Sequence, residues 1–331
     1  MKKNKIVGIN FERMVLAFEI ITFHYYCHSS SEKKLFLHIN TLKVGPIITT
    51  CFFILSGAML FYNHEVVHDI TQFYFKRFKS IFPAFWIAYF VEYMRNIVNT
   101  NTIFWSSAPK WRLILSISGI DGYLYQYLHG QDYYILGEWF LGAIIILYSI
   151  YPLLTWFMQK NFALTTICLY TTYIVYLFSN QSFFFEIIIY ITYFYTGMVI
   201  FRFKKYFFDN KLALIMSIFL CFLLTIIRTN GCSIFYLVYS AGLFIILQRI
   251  GSFIEKWNLA KHISNFVGGI SYEIFLVQHI IILRTLSVKN PVNTYKSIAL
   301  IIIIIFLCII YAKLLNLTAT GAIAMLKKQT K

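Results

Sequence analysis

The sequence predicts an all-α protein: a polytopic membrane helix bundle of about ten transmembrane helices, with the N- and C-termini cytoplasmic. Hydrophobic residues make up 59% of the 331 positions and charged residues 13%, and the mean hydropathy is +0.68. That balance does not suit a surface that faces water. Apolar stretches of about 20 residues, the length that crosses a bilayer, recur from end to end with no polar block long enough to fold separately. We therefore expect a single transmembrane domain over residues 1–331.

The ten apolar stretches are spaced along the whole chain. They lie near 8–28, 45–62, 81–99, 138–158, 162–179, 184–203, 211–228, 232–250, 266–286 and 297–316. The first stretch follows a basic N-terminus, but it contains Glu12, Arg13 and Glu19 and has no small-residue cleavage site, which favours a retained helix over a signal peptide. An even number of spans returns the C-terminus to the side of the N-terminus.

The net charge of +16 comes from 29 Lys and Arg residues against 13 Asp and Glu residues. A strongly basic chain could bind nucleic acid. Here the basic residues cluster in short segments between apolar stretches, such as 76–79 and 202–205, where the positive-inside rule places cytoplasmic loops. The charge therefore indicates orientation, with inner loops at 63–80, 159–161, 204–210 and 251–265, and we expect no nucleic-acid partner.

Two predicted outer loops have some length, 29–44 and 100–137. The second is rich in aromatic residues: Trp105, Trp111, Tyr123, Tyr125, Tyr127, Tyr133 and Tyr134. Aromatic residues at this depth usually form an interfacial belt, and we favour that interpretation. A platform that stacks on sugar rings is the alternative.

Ionisable residues inside transmembrane spans are costly and are therefore candidates for functional sites. Arg13 and His24 are separated by eleven residues in the first span, so on a helix they end within about 20° of the same face and roughly 16 Å apart along the axis. His28 lies four residues beyond His24, but no third ligand accompanies this pair, and the six cysteines have no metal-binding spacing. We predict no metal site.

Five segments, in order, resemble the acyltransferase-3 family of integral membrane O-acyltransferases. Arg13 and His24 match the signature of its first helix, and Phe52-Phe53-Ile54-Leu55-Ser56-Gly57 is similar to its FFxxSG element. The segment 73–83 resembles its basic loop before a proline, although Ser80 stands where the family often has a second arginine. The last two segments, Trp139-Phe140-Leu141 with Tyr151-Pro152 and Ser271-Tyr272-Glu273-Ile274-Phe275-Leu276, look like its WFL and SYxxYL helices. His279 stands up to one position beyond the usual late histidine.

The resemblance implies a bacterial plasma-membrane enzyme that transfers an acyl group, usually acetyl from cytoplasmic acetyl-CoA, to a sugar hydroxyl of a capsular, exo- or other envelope polysaccharide or its lipid-linked precursor. Acetyl-CoA would be a substrate, and no bound cofactor is expected. His24 would act as general base or carry the acyl group itself, with Arg13 beside the donor. Lys76, Arg77 and Lys79 would bind donor phosphates or would only orient the chain. Ser56, Glu138, Trp139 and His279 would line the acceptor cavity, and Ser56 with Gly57 also suits close helix packing.

Two other functions remain open at this stage. Ten spans with polar interior residues also suit a transporter or flippase for a glycan precursor, although no inverted repeat is visible. A non-catalytic partner of other membrane proteins in a glycan synthesis complex is the second alternative. The expected partners are thus an acyl-CoA donor, a glycan acceptor and the lipid bilayer, with glycan-biosynthesis proteins as further candidates.

Overall fold

The structure, a computed structural model, describes residues 8–31, 38–39, 42–125, 127–128, 131–179, 186–227 and 232–329. Within these ranges the chain is almost entirely helical, with one short hairpin. The helices are α1 Ile9–His28, α2 Val44–Asn63, α3 Ile70–Thr100, α4 Arg112–Ile117, α5 Asp121–Leu124, α6 Trp139–Lys160, α7 Phe162–Phe178, α8 Ile187–Arg202, α9 Lys211–Ile226, α10 Ser233–Ile254, α11 Asn258–Gly269, α12 Ser271–Val288 and α13 Thr294–Gln329. The antiparallel hairpin pairs β1 His38–Ile39 with β2 Leu42–Lys43, and a π-helical turn covers Lys205–Asp209.

Among the described residues, five helices are long and apolar enough to cross a membrane: α2, α6, α10, α12 and α13. Three further apolar helices, α7, α8 and α9, are shorter, with 16 or 17 residues. These findings confirm a helical protein of the multi-pass membrane type. The total of ten spans and the cytoplasmic position of both termini remain predictions.

Helix boundaries differ from the sequence expectation where helices are polar on one side. The predicted inner loop 63–80 is helical from Ile70, because Asp69 caps the start of α3 by accepting a hydrogen bond from the backbone N–H of Gln72 at 2.8 Å. The predicted inner loop 251–265 contains most of α11. Neither segment is apolar enough to be recognised by hydropathy, yet both form helices that bury one side against neighbouring helices.

The described chain divides into two compact units. Unit 1 is Met1–Glu65, Ile191–Tyr272 and Ile281–Ile309, and unit 2 is Val66–Tyr190, Glu273–Ile280 and Ile310–Lys331. In unit 1, α10 packs against α1, α2 and α9, while α11 packs along α1. In unit 2, α6 packs against α3, α5 and α7. α1 and the start of α6, which carry predicted site residues, are therefore held by neighbours within their own units.

Candidate active site

The first set of predicted site residues lies on α1, in unit 1. α1 is continuous from Ile9 to His28, so Arg13 and His24 share one face and stand roughly 16 Å apart along the helix axis. Both side chains are half-buried, and the imidazole of His24 meets the ring of Phe23 edge-on at 5.3 Å between centroids. A fixed cation and an imidazole are thus presented on one side of a single rigid element.

Both ends of α1 are fixed by polar contacts within unit 1. At its start, Asn10 Nδ2 donates to Asn265 Oδ1 at 2.7 Å, and Gln248 Nε2 donates to Glu12 Oε2 at 2.5 Å. Near its end, the hydroxyl of Tyr25 bonds to Ser297 Oγ at 2.8 Å. These bonds come from α10, α11 and α13, so they hold α1 in one rotation about its axis. The direction in which Arg13 and His24 point is set by their neighbours.

Ser56 lies on α2, where two helices approach closely. A Cβ atom on the adjacent Gly57 would overlap the carbonyl oxygen of Phe194 in α8, and a Cβ on Gly197 would overlap that of Ile54. The two glycines therefore form a reciprocal contact in which the α2 and α8 backbones touch. This contact agrees with the packing interpretation of Ser56 and Gly57.

The basic residues 76–79 lie on the first turns of α3, in unit 2, and they have different surroundings. Arg77 has its guanidinium 6.0 Å from the ring centroid of Phe73 and 5.9 Å from that of Tyr148. Its Nε is buried without a hydrogen-bond partner among the described residues. Lys76 is exposed and donates to Gln72 Oε1 at 2.8 Å, and the Nζ of Lys79 lies 3.8 Å from the ring centroid of Phe75. Arg77 is thus the most fixed of the three cations.

Glu138, Trp139 and His279 come together in unit 2, at the start of α6. Gly137 precedes them with φ of +78°, a left-handed conformation that favours glycine. The imidazole of His279 packs against this glycine so closely that a Cβ there would lie 2.5 Å from its Nδ1. α12, which carries His279, also contacts α6 through Phe275 and Phe140, whose ring centroids are 5.5 Å apart.

Both elements that meet at this corner of unit 2 carry buried polar atoms. Glu138 is 1% exposed; its Oε2 accepts a hydrogen bond from the backbone N–H of Leu136 at 2.7 Å. Its Oε1 is buried with no hydrogen-bond partner in the described ranges, and so are both amide atoms of Gln278. Burial raises the pKa of Glu138, which lies just outside α6, to about 7 despite hydrogen bonds that favour the carboxylate. Such a group can hold or release a proton near neutral pH.

The aromatic loop 100–137 has a buried framework of its own. Arg112 Nε donates to Asp121 Oδ1 at 2.8 Å, and both side chains are buried. Arg112 also donates to the carbonyls of Leu128 and Gln131, while Ser116 donates to Asp121 Oδ2 at 2.6 Å. Of the aromatic residues, Tyr133 is fully buried, whereas Trp111 and Tyr125 are half exposed. Tyr133 therefore belongs to the core, and an interfacial belt stays a prediction for the exposed aromatic residues of this loop.

Sequence reasoning missed several residues that build these sites. Gln248 and Asn265 were not singled out, although amides in otherwise apolar or amphipathic helices are a usable signal. The Arg112–Asp121 pair was missed because a lone arginine and a lone aspartate nine residues apart in a loop do not indicate that they meet. Gln278, a buried amide next to His279, was likewise not predicted.

The geometry defines a class of protein. It is a helical membrane protein whose helices carry titratable and cationic side chains in fixed positions. A family model described as an acyltransferase domain, acyltransferase-3, matches residues 6–314. The chain therefore belongs to the acyltransferase-3 family, as its motifs indicated. No curated protein and no solved structure matches it.

Proposed function

We propose that this membrane acyltransferase is an O-acetyltransferase of the bacterial plasma membrane. It transfers acetyl from cytoplasmic acetyl-CoA to a sugar hydroxyl of an envelope polysaccharide or of its lipid-linked precursor. The observation that carries the proposal is the placement of Arg13 and His24 on one face of α1 in a chain of this family. Together they provide a cation for the donor and a base for the acceptor.

In the proposed reaction, the acceptor hydroxyl oxygen attacks the thioester carbonyl carbon while an imidazole nitrogen of His24 takes the hydroxyl proton. The tetrahedral intermediate then collapses and the carbon–sulfur bond breaks. The CoA thiolate that leaves accepts the proton from His24. An unperturbed imidazole titrates near neutral pH and is therefore suited to both transfers.

The separation of roughly 16 Å between Arg13 and His24 favours one of two roles for the arginine. A guanidinium so far along the helix cannot reach an oxyanion formed at His24. It can reach a donor phosphate while the extended pantetheine arm carries the thioester to His24. We therefore assign Arg13 to the phosphate end of the donor, where a guanidinium makes bidentate bonds.

Arg77 is the second proposed donor contact, and Lys76 and Lys79 are weaker ones. The guanidinium of Arg77 lies near two aromatic rings, and its buried Nε has no hydrogen-bond partner among the described residues. An Arg fixed in this way loses little side-chain entropy when it binds a phosphate. On the acceptor side, Glu138, Trp139 and His279 lie together and suit contacts with sugar hydroxyls. Ser56 is assigned to packing.

The alternative route, in which His24 is itself acetylated and relays the group, has a direct test. The purified full-length protein is incubated with acetyl-CoA alone, and its intact mass is measured. Direct transfer leaves the mass unchanged, whereas the relay adds one acetyl group that is absent from His24→Ala.

The main test uses a deletion strain complemented with wild type, His24→Ala or the control variant Tyr206→Phe, which changes an exposed tyrosine. O-acetyl groups on the surface polysaccharide are measured by NMR. We expect the signals to vanish on deletion, to return with wild type and with Tyr206→Phe, and to remain absent with His24→Ala at equal protein level. O-acetyl signals that persist after deletion would refute the proposal, and polysaccharide that fails to reach the surface would favour a transporter.

A further inference from the structure

A second cluster of polar and aromatic side chains lies in unit 2, beside Trp139. Its members come from four separate segments of the chain: Tyr123 and Tyr127 from the aromatic loop, Trp139, Tyr176, and finally Glu186 with Tyr190. Tyr176 is at the end of α7, Trp139 starts α6, and Glu186 directly precedes α8. By the predicted topology, all of these helix ends face the outside.

Hydroxyl groups of the cluster bond to one carboxylate and to each other. Tyr190 donates a hydrogen bond to Glu186 Oε1 at 3.0 Å, and the hydroxyls of Tyr123 and Tyr127 are 3.2 Å apart. Glu186 also interacts electrostatically with the phenol groups of Tyr123, Tyr127 and Tyr176. A single acid thus bonds to one phenol and interacts electrostatically with three more, and phenols are both donors and acceptors.

The rings of the cluster form a continuous aromatic surface. The ring centroids of Tyr123 and Tyr190 are 6.4 Å apart, and those of Trp139 and Tyr190 are 6.1 Å apart. Trp139, Tyr190, Tyr127 and Glu186 are half-buried rather than sealed in the core. The surface therefore remains partly accessible, and it shares Trp139 with the candidate acceptor residues.

This arrangement fits a polyol better than it fits an organic cation. A cage for quaternary ammonium directs aromatic faces at the ligand. Here the phenolic hydroxyls are hydrogen-bonded, one to the carboxylate and two to each other, and these groups suit a ligand with several neighbouring hydroxyls. The adjacent ring surface suits the apolar face of a pyranose, because Tyr and Trp combine an apolar body with a polar group.

We propose that Glu186, with Tyr123, Tyr127, Tyr176, Tyr190 and Trp139, forms a sugar-binding subsite for the acceptor glycan. The inference rests on the proposed function and specifies where the acceptor is held. A sugar residue bound here would be one that is not acylated, because no candidate base from the proposed mechanism belongs to the cluster. The subsite would therefore set acceptor specificity rather than take part in the chemistry.

The test measures direct binding to the full-length protein in detergent by saturation-transfer difference NMR. The probes are methyl α-glucoside, methyl α-galactoside and N-acetylglucosamine, with choline as the rival ligand. We expect at least one sugar to receive saturation from wild type, and its dissociation constant to rise about tenfold in Glu186→Gln and in Tyr127→Phe, because each change removes one polar contact. Both variants are nearly isosteric and retain the aromatic rings.

Two control variants match these substitutions elsewhere in the chain: Glu65→Gln at an exposed acid and Tyr206→Phe at an exposed tyrosine. Both should bind the sugars as wild type does. Equal binding by Glu186→Gln and wild type, saturation of choline alone, or no saturation of any sugar overturns the subsite. Failure of the acetyltransferase proposal would instead appear as unchanged O-acetyl signals in the deletion strain, so the two failures are distinguishable.

Discussion

Cationic side chains on one short stretch of helix can differ widely in what they are able to do. The guanidinium of Arg77 lies 6.0 Å from the ring centroid of Phe73 and 5.9 Å from that of Tyr148, whereas Lys76 is exposed and already hydrogen-bonded to Gln72. A confined guanidinium gives more binding energy per contact than a mobile surface ammonium does. The family resemblance alone gave the three basic residues similar roles, and their surroundings separate them.

We predict that Arg77→Ala raises the KM for acetyl-CoA roughly tenfold or more, the effect expected from loss of a charge-assisted contact. Lys76→Ala, the matched control on the same helix turn, should raise it less than about threefold. Steady-state kinetics in proteoliposomes provide the measurement. Equal effects of the two substitutions would contradict the ranking and would indicate that the segment acts only through its total charge.

Glu138 makes protein stability depend on pH. Its pKa is about 7 in the folded protein and 4.5 ordinarily, so the folded state holds this proton more tightly than the unfolded chain does. The stabilisation is fully present below about pH 4.5 and is lost as the pH rises through about 7. Over that interval the loss is on the order of 3 kcal/mol.

We therefore expect Glu138→Gln to become more stable relative to wild type as the pH rises from about 4.5 to 7, with no further change above that range. Thermal unfolding in detergent at a series of pH values tests this expectation. The exposed acid in Glu65→Gln serves as control and should show a flat difference. A flat difference for Glu138→Gln as well would mean that folding does not raise the pKa of this carboxyl.

At the scale of elements, two kinds of helix contact hold unit 1 together. α1 is fixed by side-chain hydrogen bonds at Asn10, Glu12 and Tyr25, whereas α2 and α8 meet through backbone at Gly57 and Gly197. A side-chain contact can be replaced by another of similar length. A backbone contact cannot, because any Cβ must separate the helices.

Gly57→Ala should therefore reduce the folded yield strongly and lower the unfolding temperature, since the new methyl group would meet the Phe194 carbonyl. The control is Gly321→Ala in α13, where a Cβ meets nothing within 4 Å. That change should be neutral or stabilise by up to about 1 kcal/mol through helix propensity. Fluorescence-detected size exclusion after heating compares the two, and a Gly57→Ala protein as stable as wild type would disprove the close contact.

The elements also show what hydropathy can predict. Apolar stretches identified the helices that became α2, α6, α7, α9 and α10 within a few residues, because burial in lipid and burial in protein require the same apolar composition. The first turns of α3 and most of α11 were predicted as loops. Their helicity depends on a cap at Asp69 and on packing of α11 against α1, which hydropathy does not measure.

For the candidate site, the sequence predicted the residues that belong to motifs and missed their supports. Arg13, His24, Glu138, Trp139 and His279 follow from motif or position. Gln248 and Asn265 cannot be predicted in this way, because they hold α1 through hydrogen bonds to residues more than 200 positions away. A single sequence carries no record of such long-range pairs.

For the whole molecule, the orientation in the membrane is the main untested prediction. With both termini cytoplasmic, green fluorescent protein fused after Lys331 should fluoresce, and alkaline phosphatase fused within 100–137 should be active. The reverse fusions should be silent, because green fluorescent protein does not fold when exported through the general secretion route and alkaline phosphatase needs an oxidising compartment. Fluorescence from an insertion in 100–137 would invert the topology and place the proposed sugar subsite on the donor side.

The two-ended fixation of α1 has a consequence for the size of the donor. Because Arg13 and His24 lie on one continuous helix, the distance between them is a constant of the protein, and the contacts at Asn10, Glu12 and Tyr25 fix the direction in which the two groups face. With that distance fixed, a donor can reach both groups only if its length from phosphate to thioester matches the separation. S-acetyl-pantetheine, which lacks the phosphates, should be a poor donor for the wild-type protein. The Arg13→Ala substitution should not lower the rate with S-acetyl-pantetheine any further, but it should lower the rate with acetyl-CoA. An equal loss of activity with both donors would mean that Arg13 acts at the thioester. The distance from Arg13 to His24 would then not select donors by their length.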